Sequence, residues 1–213
     1  FLALFAYFWS ITRLPLATAV TLNYTSAIFL AIFLAFAGMR LTPGIVVSLL
    51  LGLLGVGLLL RPTLSADQLL DGLIGLASGI LAGMAYYSVR ELGARGEAES
   101  RTVFYFSLVS SVCASFWLLG STLHPLDQRS ALLLLGVGFF ATTAQLAMTH
   151  AYAGRHTLLA ASLAYSTVVF SSLFGIWLWN EAHDGGTWLA IALVALSGVG
   201  ATHSSRNRAA TAS

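Results

Sequence analysis

The sequence predicts an all-α membrane protein, a polytopic helical bundle, and three observations carry that expectation. Hydrophobic residues make up 58% of the 213-residue chain and charged residues only 8%, whereas soluble domains carry about a quarter charged residues. Mean hydropathy is +0.86. The chain divides into charge-free stretches, and crossing a hydrocarbon core roughly 30 Å thick takes about 20 mainly apolar residues in helix. Finally, the chain carries an internal repeat. So few charges could not solvate the surface of a soluble protein of this size, so lipid replaces water over much of the exterior, and a single aqueous core is excluded.

Residues 1 to 12 are apolar but too few to cross alone. Pro15–Gly38 is the first complete span, closed by the charge and proline of Met39-Arg40-Leu41-Thr42-Pro43. Gly44–Leu60 follows and stops at Arg61. Beyond the loop from Arg61 to Asp71, Gly72–Val89 runs to Arg90. Within it Gly75, Gly79 and Gly83 recur every fourth residue, a smooth face against which another helix can pack closely. The polar stretch Arg90 to Arg101 precedes Val103–Gly120, and Ser121 to Ser130 precedes Ala131–Tyr152. Gly154-Arg155 separates the latter from Thr157–Asn180, and Glu181 to Gly186 leads into Thr187–His203. The loops are short, so neighbouring helices are expected to be antiparallel.

All ten basic residues are Arg, and the net charge of +2 is small and scattered, so no nucleic-acid partner is expected. The single Cys113 allows no internal disulfide. Nothing resembles a cleaved signal peptide, because the first segment lacks a basic start and a small-residue cleavage site. Arg40, Arg90, Arg95, Arg101, Arg155, Arg206 and Arg208 fall on one side of the expected topology, and Arg13, Arg61 and Arg129 on the other. Positive charge favours the cytoplasm, so the C-terminal tail is expected there.

Sliding the chain on itself by 141 positions lays Leu22-Asn23-Tyr24-Thr25 over Leu163-Ala164-Tyr165-Ser166, Ala19 over Ala160, Phe29 over Phe170 and Phe33 over Phe174. After two small gaps Gly55-Val56-Gly57 meets Gly198-Val199-Gly200. The same offset puts the partners of Gly72–Val89 and Val103–Gly120 before residue 1, and leaves residues 1 to 12 as the end of a third helix. The expectation is an inverted five-plus-five helix repeat with the first two and a half helices missing. Residues 1–62 are then the C-terminal part of the first repeat, 63–204 the second repeat, and 205–213 a disordered cytoplasmic tail. Five helices is an odd number, so the second copy enters the membrane inverted, and inverted repeats are characteristic of secondary transporters.

The stretch Arg13-Leu-Pro-Leu-Ala-Thr-Ala-Val-Thr-Leu-Asn-Tyr-Thr-Ser, its echo Ala164-Tyr165-Ser166-Thr167, and Leu178-Trp179-Asn180-Glu181 resemble the EamA-type drug/metabolite transporters across essentially the whole chain. The resemblance implies ten helices, a bacterial inner-membrane location, and movement of amino acids or related metabolites, often outward. Two positions depart from the family pattern: Ala27 stands where Pro is usual, and Met39 where Glu is usual. Glu181 keeps that acidic position in the second repeat.

Polar side chains deep in a membrane are costly and point to function. Asn23 and Tyr24, with Tyr165 and Ser166 at the matched places, are candidate substrate-binding residues, and Gln145 is a fifth. Amide and phenol groups can hydrogen-bond a zwitterionic or amphipathic metabolite while aromatic faces pack its apolar part. The plainer alternative is helix-to-helix bonding, about 0.6 kcal/mol per bond on average. Tyr86, Tyr87, Trp177, Trp179 and Trp188 read as interfacial aromatic belts. His150 reads as interfacial, since a proton relay would require burial with a partner.

No charge-free span contains Asp or Glu, which argues for facilitated export or exchange. The His and Cys residues lack metal-ligand spacing, Leu76-Ala77-Ser78-Gly79 and Ala195-Leu196-Ser197-Gly198 lack the first Gly of an intramembrane serine protease motif, and no phosphate-binding loop occurs. No cofactor, metal or catalytic residue is therefore expected. The expected partners are a small-molecule substrate and the lipid bilayer, with a second copy, as a homodimer, a further candidate. A membrane scaffold and an intramembrane enzyme are the alternative classes.

Overall fold

The computed structural model describes residues 1–61, 66–118, 127–154, 156–179 and 185–210. Its helices are α1 (Leu2–Arg13), α2 (Leu16–Tyr24), α3 (Ser26–Phe36), α4 (Pro43–Leu60), α5 (Leu69–Ala94), α6 (Glu99–Leu118), α7 (Gln128–Ala153), α8 (Thr157–Ala164), α9 (Ser166–Trp179) and α10 (Gly185–Ala210). A single 3-10 turn, Ala66–Gln68, precedes α5, and no strand occurs among the described residues. Arg155 and Glu181 lie outside them.

Five segments are long and apolar enough to cross a membrane: Leu16–Phe36, Pro43–Leu60, Leu69–Ala94, Gln128–Ala153 and Gly185–Ser204. The chain is thus an all-α, polytopic membrane protein, and these five match expected spans to within a few residues. Where Val103–Gly120 was expected, α6 forms but starts earlier, taking in Glu99 and Arg101, and its body carries Ser107, Ser110, Ser111 and Ser115. The expected span Thr157–Asn180 is interrupted at Tyr165, between α8 and α9. Lengths differ: α4 has 18 residues, and α5, α7 and α10 have 26 each.

Contacts group the chain into two compact units, one of residues 2–87 and 156–213, the other of Phe1 and residues 88–155. The expected division at 62/63 rests on sequence symmetry rather than on contact. In the first unit, α4 and α10 pack most extensively. Small residues let the two backbones approach: a Cβ on Gly55 would lie 2.8 Å from Val194 Cγ2 and 3.0 Å from the Ala190 carbonyl oxygen. Leu49, Val56, Ala190, Val194 and Ala201 fill this core. The glycine face of α5 packs on α1, α2 and α3, as its spacing predicts. A Cβ on Gly79 would lie 2.7 Å from the Leu22 carbonyl oxygen, and one on Gly83 would lie 2.9 Å from that of Ser26.

The second unit is a hairpin of α6 and α7 with the C-terminal part of α5. Gly93 meets Ala153, whose carbonyl oxygen would lie 2.7 Å from an added Cβ. Val103, Thr149 and Tyr152 are buried, whereas Phe104, Phe116, Leu132 to Leu135, Phe139 and Phe140 are exposed. In lipid such faces need no covering by polar groups, because the hydrocarbon is itself their solvent.

Candidate functional site

Two helical segments of the first unit break within one residue of matched places. Tyr24 ends α2 and Ser26 starts α3, while Ala164 ends α8 and Ser166 starts α9. Neither break contains Pro or Gly. Each is a local tightening in which N–H groups bond three residues back. Thr25 N–H donates to the Leu22 carbonyl at 3.2 Å, and that of Ile28 to the Thr25 carbonyl at 2.9 Å. Likewise Tyr165 N–H donates to the Ser162 carbonyl at 3.4 Å, and that of Val168 to the Tyr165 carbonyl at 3.1 Å. Thr25 adds its hydroxyl to the Leu22 carbonyl at 2.5 Å, a side chain competing with the backbone ladder. In a regular helix Ile28 would bond the Tyr24 carbonyl. The break releases that oxygen.

The released oxygen is taken by the other half. Tyr165 Oη donates to the Tyr24 carbonyl at 3.4 Å. The two rings meet edge to face, with centroids 5.7 Å apart and planes at 62°, the arrangement favoured by aromatic quadrupoles. Tyr165 is fully buried, at 0% exposure, while Tyr24 and Asn23 are half-buried. Asn23 Nδ2 donates to Ser78 Oγ at 3.2 Å, and Ser78 Oγ donates to the Gly75 carbonyl at 2.6 Å. Tyr24 and Tyr165 are therefore brought together around a closed contact, while Asn23, next to Tyr24 in the chain, turns to Ser78 of α5.

Ser166 is placed apart from them. It lines a groove of about 490 Å³ with Ser162, Val169, Val194, Gly198 and Thr202, among others. Neighbouring helical residues point about 100° apart, so while Tyr165 faces Tyr24, Ser166 faces this groove. Gln145 is half-buried on α7 and belongs to the second unit.

Residues that sequence reasoning passed over complete the surroundings. Tyr165 lies against Gly52 of α4, where an added Cβ would meet the ring edge and would lie 2.6 Å from both Tyr165 Cε2 and Ser197 Oγ. Beside it is a buried hydroxyl chain: Ser162 Oγ and Ser197 Oγ are 3.0 Å apart, and Ser197 Oγ donates to the Ser48 carbonyl at 2.7 Å. The signal for Gly52 was available, since Gly52 and Gly55 both interrupt the leucines of their span.

His150 has a partner that the sequence could not name, Glu99, with Nδ1 2.6 Å from Oε1. Its side chain is 78% exposed, so the pair sits at the open end of the α6–α7 hairpin, not in a buried relay. Arg101 and Glu97 pair at 2.8 Å near the same end. At the opposite end of α7, Asp127 Oδ1 accepts the Ser130 N–H at 3.2 Å and caps the helix. Hydrogen bonds from Ser130 hold its carboxyl below the usual carboxylate range. Among the described residues no group of three or more His, Cys, Asp or Glu could hold a metal ion.

No protein-family model matches the chain. It is 30% identical over 202 residues to the pseudopaline exporter CntI of Pseudomonas aeruginosa, covering 92% of this chain and 71% of that one. An uncharacterized transporter of Helicobacter pylori is 26% identical over 204 residues, covering 93% and 68%. A solved crystal structure superposes with a TM-score of 0.83 at 22% identity, over 95% of this chain and 72% of that one, a likeness of fold.

Proposed function

The chain belongs to the family of bacterial membrane transporters that includes the pseudopaline exporter CntI, and we propose that it exports a small organic metabolite, such as an amino acid or related compound, by alternating access. The observation that carries this reading is the meeting of Tyr24 and Tyr165. They are 141 residues apart, the offset of the internal repeat, and each stands at a break in an apolar helical segment. Discontinuous membrane helices at a repeat interface are where secondary transporters place their substrates. Irregular backbone at membrane depth is tolerated where it is buried in protein or lines a cavity.

On this reading Asn23, Tyr24, Tyr165 and Ser166 contact the substrate in turn as the pathway opens, and Gln145 of the other unit is a separate candidate contact. The Asn23 amide and Tyr24 phenol supply hydrogen bonds to a zwitterionic head, and the tyrosine faces pack an apolar part. The architecture is the inverted repeat of EamA-type transporters, set in the inner membrane with the C-terminus in the cytoplasm. No bond in the substrate is made or broken, so the residues bind and release rather than catalyse.

The test is uptake and efflux of a pooled library of amino acids and related zwitterions in proteoliposomes of the full-length protein. We expect saturable flux of one chemical class, reduced by competitors of that class. Tight vesicles of well-folded protein with no flux above empty controls would sink the transport reading and favour a membrane scaffold.

A further inference from the structure

We propose that the Tyr24–Tyr165 contact is the seal that occludes the transport pathway, and that Gly52 is the positioning residue that holds Tyr165 in it. The inference rests on the transport reading above. Four observations carry it. Tyr165 is wholly buried although its ring belongs to a helix break rather than a continuous helix. Its hydroxyl reaches the carbonyl that the other break releases, at 3.4 Å, the outer edge of hydrogen-bonding range. Its ring stands edge to face on Tyr24 at 5.7 Å. Its far edge fits only because residue 52 has no side chain, since a Cβ there would overlap the ring and crowd Ser197 Oγ at 2.6 Å.

These features describe a contact built to be closed and to be opened. The ring is confined on one side by α4 and on the other by Tyr24, so it has one place to rest while the two breaks are together. The polar bond across the seal is long, so separating the breaks sacrifices little. Asn23, next in the chain to Tyr24, holds Ser78 of α5, which is itself fully buried. Ser78 thus lies one hydrogen bond from the residue beside Tyr24, and on this proposal opening the seal exposes it to water.

The test reads that access directly. Full-length protein carrying Ser78→Cys in a Cys113→Ala background is reconstituted, and its rate of alkylation by a membrane-impermeant maleimide is measured. Gly52→Ala and Tyr165→Ala should each raise the rate at least tenfold. Tyr165→Phe, which keeps the ring, should restore slow labelling, and Gly57→Ala, where an added Cβ meets nothing within 4 Å, should match the parent. Unchanged labelling in folded Gly52→Ala overturns the positioning role. If that variant does not fold, Tyr165→Ala decides: unchanged labelling there overturns the seal. Flux by the parent protein with unchanged labelling in Tyr165→Ala would leave transport standing and remove the seal, whereas absent parental flux removes transport whatever the labelling.

Discussion

At the scale of single residues, the tyrosine pair separates ring from hydroxyl. Tyr165→Phe gives up one long hydrogen bond, and a neutral bond contributes about 1 kcal/mol net even at good geometry. We expect a fall in stability under about 1 kcal/mol by thermal unfolding in detergent. Tyr165→Ala empties a fully buried aromatic site and should cost about 3–5 kcal/mol in the same measurement. Asn23→Ala should cost only about 0.6 kcal/mol as a helix-to-helix bond. On the transport reading, however, it should lower flux at limiting substrate severalfold, and flux equal to the parent would confine Asn23 to packing. Asp127 yields a pH dependence. Its folded-state pKa is depressed by Ser130, so its cap is fully present above the ordinary carboxylate range and is lost as pH falls through the lowered value. Amide-exchange protection in the first turn of α7 should therefore be steady at neutral pH and decline below about pH 4. Asp127→Asn should flatten that decline.

Among elements, the glycine face of α5 gives the sharpest expectation. A side chain at Gly79 would press on the Leu22 carbonyl oxygen, 2.7 Å from the new Cβ, and backbone cannot yield as a flexible side chain can. Gly79→Ala should destabilise by about 1–3 kcal/mol, while Gly57→Ala should cost little. Equal melting temperatures for the two variants would contradict the packing described. That face was legible in the sequence because a four-residue glycine period has one physical reading in a membrane helix. The spans were legible too, since charges mark their ends. The breaks at Thr25 and Tyr165 were not, because neither Pro nor Gly announces them. They depend on hydrogen bonds three residues back and on a partner 141 residues away. The place of Ser166 could have been foreseen. The rule that neighbouring helical residues diverge, which separates Tyr86 from Tyr87, also separates Tyr165 from Ser166. The Ser48–Ser162–Ser197 chain was hidden because serines suit both helix interiors and helix contacts, and only the packing of α4, α8 and α10 shows which role they take.

For the molecule as a whole, composition gave the solvent, and arginine placement predicts a cytoplasmic C-terminus. A reporter fused after residue 213 should be active in the cytoplasm, and periplasmic activity would reverse the assigned topology. The lengths of the helices add something that neither does. At about 1.5 Å per residue, the 18 residues of α4 reach about 27 Å, and the 26 residues of α5, α7 and α10 reach about 39 Å. The longer helices carry charges in their end turns, Asp71, Arg90 and Glu91 in α5 and Arg206 and Arg208 in α10. A hydrocarbon layer of roughly 30 Å therefore takes in only their apolar middles and slightly exceeds α4. Helices that are too long tilt, helices that are too short draw the bilayer inward, and each ångström of mismatch costs a fraction of a kcal/mol. Because α4 and α10 are packed along each other, the tilt that suits one is imposed on the other. Acyl-chain length in the surrounding lipid thereby becomes a mechanical load on the surface that cradles Tyr165.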